Sequence, residues 1–294
     1  MIRTVLVPLD GSVLSERALP LAVNVAKAAN AELKFVHVAP EHNHVAHPLP
    51  PTAQGYLDLM TYKVRQMAGL PATSALLHGP VAETLAESAT GLKADLIVLS
   101  THGRGALSRM WLGSVADQLI RRTTVPVLLV RPGEEPRPDA VVAPRGFRRI
   151  LIALDGSTAS EATIGPAVEL GRPAGAEYTL LRVIEPIWGV SGDGMAYLPS
   201  AYDGQLFDEL VKQAEAQMNT VAERMRRDGL TVKTQVVVGE APAPAILEAA
   251  KSADLTVLAT HGRSGAARVF LGSVADKVVR GADGPVLLAH ATGP

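Results

Sequence analysis

The chain has 294 residues, 47% of them hydrophobic, which is material for about two globular cores. Its 28 Lys+Arg balance 29 Asp+Glu, so the net charge of −1 offers no surface for nucleic acid or for an anionic membrane, and neither partner is expected. The absence of cysteine excludes disulfides, thiolate catalysis and Cys-based zinc sites.

The chain enters an apolar run at residues 3–9, without the charged region, long apolar stretch and cleavage site of a signal peptide. No apolar run approaches the ~20 residues of a membrane helix, so the expected compartment is the cytoplasm. The first run is too short for a helix and reads as a buried strand ending at Asp10-Gly11-Ser12. Helical patterning follows over about 15–30, with Ser15 as a candidate N-cap and Pro20 placed awkwardly inside, as Pro166 is in the second half. Strands are then expected at 32–38, 73–78, 95–100 and 126–130. Helices are expected at about 54–68, 80–89 and 114–122. Residues 131–138, Arg-Pro-Gly-Glu-Glu-Pro-Arg-Pro, read as a linker. The boundary falls near 140, with one domain over 1–135, a linker over 136–146 and a second domain over 147–294. The second half repeats the order: strands at 148–154, 176–183, 231–238, 254–259 and 285–289, with a long helix at about 204–228.

This order reflects an internal repeat. Val5 to Ser12 recurs as Ile150 to Ser157, and Thr101-His102-Gly103-Arg104 recurs as Thr260-His261-Gly262-Arg263. Between 101–130 and 260–289, 16 of 30 positions are identical, so the halves are duplicated domains. The offset grows from 145 at Asp10/Asp155 to 159 at His102/His261, which places extra residues in the second copy around 185–205. Alternating strands and helices predict a parallel sheet covered on both faces, with ligands beyond the carboxyl ends of its strands.

The Asp10 loop and the His102-Gly103 loop both leave strands at that edge. Gly103 and Gly113 permit close backbone approach, and Ser114 stands at a helix start, where free amides and the dipole suit a phosphate. Ser114 could instead be a plain N-cap, paired with Asp117 three residues on. Asp10 and Asp155 could equally cap their turns or accept hydrogen bonds from ribose hydroxyls. His42, His44 and His47 cluster in a proline-flanked stretch that reads as a solvated loop rather than a metal site. Arg104 and Arg263 could lean on phosphates or face solvent. Neither a Gly-Lys-Ser/Thr loop nor a Gly-x-Gly-x-x-Gly after the first strand is present, which excludes P-loop NTPases and argues against a dinucleotide dehydrogenase.

Ser100-Thr101-His102-Gly103, nine residues, then Gly113-Ser114, matched by Ala259-Thr260-His261-Gly262, nine residues, then Gly272-Ser273, resembles the universal stress protein family. The Asp-Gly-Ser turn and the closing Val-Pro-Val-Leu-Leu-Val strand share that resemblance, which covers 1–132 and 147–290. It implies two tandem Rossmann-like α/β domains of the adenine nucleotide α-hydrolase-like type. Each would be a five-stranded parallel sheet flanked by helices, with the last strands pairing across the two domains as an intramolecular pseudo-dimer. A homodimer of chains is a further expectation. The resemblance implies ATP as ligand, with Mg²⁺ held mainly through phosphates. Asp10 and Asp155 then lie by the nucleoside, and Val38 and Val183 line the adenine pocket. Gly103, Gly113, Ser114, Val115, Gly262, Gly272, Ser273 and Val274 meet the phosphates. Leu9, Leu99, Leu154 and Leu258 at the strand ends, with Ser100, Ala259, His102, His261, Arg104 and Arg263, complete the set. The family motif begins with glycine, where this chain has Ser100 and Ala259. Three functions follow: an ATP-binding stress-response regulator or sensor with little turnover, an interaction module of the same fold without nucleotide, and a slow ATPase.

Overall fold

The computed structural model describes residues 1–39, 52–101, 112–131, 146–185, 201–239, 241–260 and 271–290, with backbone alone for 201–205. In the first copy, strands β1 (Thr4–Pro8), β2 (Glu32–Ala39), β3 (Ala72–His78), β4 (Leu96–Ser100) and β5 (Val127–Val130) alternate with helices α1 (Val13–Glu16), α2 (Leu19–Ala29), α3 (Ala53–Ala68), α4 (Val81–Gly91) and α5 (Ser114–Arg122). The second copy supplies β6 (Arg149–Ala153), β7 (Glu177–Ile184), β8 (Thr231–Val238), β9 (Leu255–Ala259) and β10 (Val286–Ala289). Its helices are α6 (Thr158–Glu161), α7 (Ile164–Gly171), α8 (Ala201–Arg227), α9 (Pro242–Ala250) and α10 (Ser273–Gly281).

The strands join into one ten-stranded sheet in the order β3-β2-β1-β4-β5-β10-β9-β6-β7-β8. Pairing is parallel within each copy and antiparallel at the centre, where Val286, Leu287 and Leu288 face Leu129, Leu128 and Val127. Two apolar layers cover the sheet. One gathers α2, α3, α7 and α8 side chains, and the other α4, α5, α9 and α10 side chains. Continuous apolar strands such as β4, buried along its whole length, fit a sheet covered on both faces. Fully buried side chains such as Phe35, Ile97 and Tyr178 contribute about 1.5–3 kcal/mol each through the area they remove from water.

The awkward prolines are explained by a break. Ser12, not Ser15, caps the first short helix, its Oγ accepting from the Ser15 amide at 3.1 Å. The chain turns at Arg17 and Ala18, and α2 opens with Pro20 in its first turn, where a missing N–H has no intrahelical role. Ser157 and Pro166 repeat this arrangement in the second copy. The predicted spans of α5 and β8 coincide with the structure, and α8 begins at Ala201 rather than 204.

The antiparallel seam has a geometric consequence. Strands of each copy run parallel to their own last strand, so the carboxyl edges of the two copies open on opposite sides of the sheet. Arg131, just past β5, donates from Nη1 to the Ala282 carbonyl at the C-terminus of α10, at 3.0 Å. His290, just past β10, places Nε2 2.7 Å from the Ile120 carbonyl in the last turn of α5. Positive or donating groups belong at such carbonyl ends.

Candidate functional site

At the carboxyl edge of each copy the backbone is closed in the same way. The Leu9 amide donates to the Val36 carbonyl and the Leu154 amide to Leu181, each at 2.8 Å, which sets the aspartate turn against the second strand. The Asp10 Oδ1 accepts from the Ser12 amide at 2.9 Å and from its hydroxyl at 2.6 Å. Asp155 makes the same two bonds to Ser157 at the same distances. The capping role left open by the sequence is therefore real, and one carboxylate oxygen of each aspartate is committed to it. In the turn that follows, Gly156 has φ +83, a region that disfavours any side chain.

The glycine-rich loops return to their strands through backbone bonds. The Gly113 amide donates to the Thr101 carbonyl at 2.8 Å, and Gly272 to Thr260 at 2.9 Å. Here the capping pair suggested by Ser114 and Asp117 is overturned. The N-caps are Gly113 and Gly272, which make no side-chain cap bond, and Ser114 and Ser273 are the first helical residues. Asp117 turns instead to Arg121, and Asp276 to Arg280, one turn along each helix. Helix starts leave amides without intrahelical partners, and here glycine caps supply no side-chain acceptor. That is the arrangement a bound anion exploits.

In the second copy these parts line one cavity of about 720 Å³. Leu154, Asp155, Val183, Leu258, Ala259, Gly272, Ser273 and Val274 all lie on its wall, brought together from three strand ends and a helix start. Ala259 itself is one of the residues that line this open volume. In the first copy Leu9, Val38, Leu99 and Ser100 are buried at the matching strand ends, while Val115 is exposed at the start of α5. His102, Gly103, Arg104, His261, Gly262 and Arg263 lie outside the described residues, as do His42, His44 and His47. Among the described residues no cluster of acids and histidines forms a metal site. No described helix is long and apolar enough to cross a membrane.

Sequence reasoning missed the cavity's other wall. Arg182 of β7 is buried at 7% exposure and donates from Nη1 to the Gln217 side-chain oxygen on α8. The Gln217 amide nitrogen donates onward to the Gly156 carbonyl at 3.1 Å. Ser160, Gln213 and Pro242 also line the cavity. Strand register makes Arg182 the counterpart of His37, since Val36 and Leu181 each sit opposite the last residue of the neighbouring strand. His37 is buried too, and its Nδ1 donates to the Leu9 carbonyl at 2.8 Å. Gln217 is the counterpart of Tyr56. The buried positions Leu57, Met60, Thr61 and Val64 match Met218, Val221, Ala222 and Met225 along the two helices. The Tyr56 hydroxyl donates to Glu16 at 3.0 Å; burial, then the Glu16 charge, pushes its pKa well above the ordinary tyrosine value.

Such a doubly wound sheet, with an aspartate turn and a glycine-capped helix start at the same edge of each half, defines a tandem α/β protein with one candidate anion-binding edge per half. A profile of the universal stress protein family matches residues 1–131 and 146–290. The chain belongs to that family. A universal stress protein of Mycobacterium tuberculosis is 29% identical, covering 97% of this chain and 96% of its own. The crystal structure of a universal stress protein from Archaeoglobus fulgidus covers 98% of both chains with a TM-score of 0.67 at 19% identity, a likeness of fold. A universal stress protein crystallised in complex with cAMP is 28% identical, covering 45% of this chain and 98% of its own, with a TM-score of 0.37.

Proposed function

We propose that the chain binds ATP at both carboxyl edges and serves in the cytoplasm as a stress-response regulator or sensor with little turnover. The observation that carries this reading is the second-copy cavity, which Asp155, Val183 and the start of α10 line together. Its volume lies in the range of small-molecule sites, about 300–1,000 Å³. The fit of a nucleotide rests on the donor set. Glycine-capped amides at Ser273 and Val274, with the Ser273 hydroxyl, suit phosphates, and Asp155 suits ribose hydroxyls. Gly113, Ser114, Val115 and Asp10 take these roles in the first copy. Mg²⁺ is held mainly through the phosphates. In the second copy, the open volume beside Ala259 supports room for the ligand despite a side chain at the first motif position. Little turnover is expected, since Asp155 among the described lining residues has one carboxylate oxygen engaged in capping its own turn. The seam lets one chain act as an intramolecular pseudo-dimer.

Calorimetry of the full chain with Mg-ATP tests this reading. Saturable binding is expected, and Asp155→Ala should weaken one class of sites by about tenfold, through loss of a charge-assisted contact. Undetectable binding at millimolar nucleotide would overturn it.

A further inference from the structure

The two nucleotide edges share a backbone but not a wall. In the first copy the side chains beside the aspartate turn are His37, bonded to the Leu9 carbonyl, and Tyr56, bonded to the Glu16 carboxylate. In the second copy the same two positions hold Arg182 and Gln217, bonded to each other. The acid that corresponds to Glu16 is Glu161, and it is drawn off by Arg224 at 2.8 Å. Arg182 is the one cation among the described residues lining the second-copy cavity, where the acids are Asp155 and Glu185.

The position of the guanidinium is set tightly. A Cβ built on Gly156 would lie 2.4 Å from Arg182 Nη1 and 2.9 Å from its Cζ, so the charged group lies directly over the residue after Asp155. Gln217 fixes it there from α8 while holding the Gly156 carbonyl with its other end. A guanidinium presents five N–H donors in a rigid fork that matches phosphate oxygens in pairs. Held in a largely buried wall, its charge acts through less solvent than a surface arginine's does.

We infer that the second-copy site is selective for nucleotides that carry a phosphate on the ribose, at the 2′ or 3′ oxygen, as well as at the 5′ end, with Arg182 as the residue that reads the additional phosphate. This rests on the nucleotide reading above, which puts the ribose at Asp155 and the 5′ phosphates at the start of α10. The ribose hydroxyl edge then faces the turn that Arg182 covers. The first copy has no cation at this position. It has His37, held on the Leu9 carbonyl, and so lacks the selectivity. Gln217 is a positioning residue, acting through Arg182.

The experiment is calorimetry of the full chain with adenosine 3′,5′-bisphosphate, adenosine 2′,5′-bisphosphate and ADP. All three ligands carry two phosphates, so the comparison isolates phosphate position. For one equivalent per chain, one of the ribose-phosphorylated ligands is expected to bind at least about tenfold tighter than ADP, the effect of one well-placed charged contact. Arg182→Gln should bring that ratio close to one. Gln217→Leu, in case the first variant does not fold, should lower the ratio at least threefold. General damage to the site would weaken all three ligands alike and leave the ratio unchanged. A wild-type ratio of one, or a preference that survives in every variant that folds, overturns the selectivity while leaving nucleotide binding intact. If none of the three ligands and no ATP binds, the underlying reading falls, and the selectivity with it.

Discussion

The two copies agree where the backbone does the work and differ where side chains face open volume. The aspartate turns make the same bonds to Ser12 and Ser157, and Gly113 and Gly272 cap their helices in the same way. At the seam Arg131 and His290 perform one task with different chemistry, each reaching the carbonyl end of the opposite copy's helix. The walls beside the aspartates, by contrast, exchange His37 and Tyr56 for Arg182 and Gln217. A duplicated fold thus constrains its loops by backbone hydrogen bonding and its seam by position, and leaves the cavity wall free to differ.

The seam is the sharpest test of how far the copies form one unit. Leu128 and Leu287 face each other in the central pair and are both fully buried. Leu128→Ala and Leu287→Ala should each cost about 2–5 kcal/mol, from lost transfer energy and the cavity left behind. If the copies unfold together, either substitution shifts a single urea transition by a similar amount. Two transitions, of which each variant moves only one, would show that the copies are energetically separate despite the shared sheet.

Much of this comparison was legible in the sequence, because the repeat and the strand-end signals are local. Asp-Gly-Ser after an apolar run, and Gly-Ser ahead of an amphipathic stretch, are turn and helix-start chemistry that need no tertiary information. The break that seats Pro20 was hidden because Ser12 and Ser15 are both acceptable caps, and only the path of the chain chooses between them. The alternative of Ser114 as a cap fails for a related reason. Its neighbour Gly113 takes that place, and Asp117 finds Arg121 more readily than a backbone amide. Arg182 carried a signal that was passed over: a charge inside an otherwise apolar strand must find a buried partner or a ligand. Its partner Gln217 lies 35 residues away on another element, and no local pattern links the two.

A substitution at Gly156 separates the turn, which the copies share, from the wall, which they do not. Gly156→Ala meets two penalties: a positive φ, and the guanidinium that its Cβ would strike. Gly229→Ala meets the first alone, since its φ is +78 and nothing lies within 4 Å of the added Cβ. The conformational penalty is about 1–2 kcal/mol for a residue with a side chain. Gly229→Ala should therefore lose about that much stability in thermal unfolding, and Gly156→Ala distinctly more. Adding Arg182→Gln to Gly156→Ala should recover part of the excess. Equal losses at the two glycines would place the guanidinium away from the turn and weaken the contrast between the two walls.

The smallest effect is expected at the seam's polar clamps, where it tests whether Arg131 and His290 are equivalent. The Ile120 carbonyl can only accept, so His290 Nε2 is the donor, and Nδ1 lies 3.0 Å from the Thr260 hydroxyl. Thr260 in turn receives the Gly272 amide on its carbonyl, so His290 joins the end of α5 in one copy to the root of the glycine-rich loop in the other. Arg131 binds the Ala282 carbonyl and stands 3.6 Å from Asp283, an exposed carboxylate that adds little. Removing either clamp by Arg131→Ala or His290→Ala should cost about 0.5–1.5 kcal/mol of stability, the usual net worth of one hydrogen bond. Amide hydrogen exchange distinguishes them. His290→Ala should speed exchange at Gly272 as well as around Thr260, because it loosens the loop root. Arg131→Ala should act only near the end of α10. If both variants change exchange at their own helix ends alone, the clamps are interchangeable, and the seam is symmetric in function as well as in form.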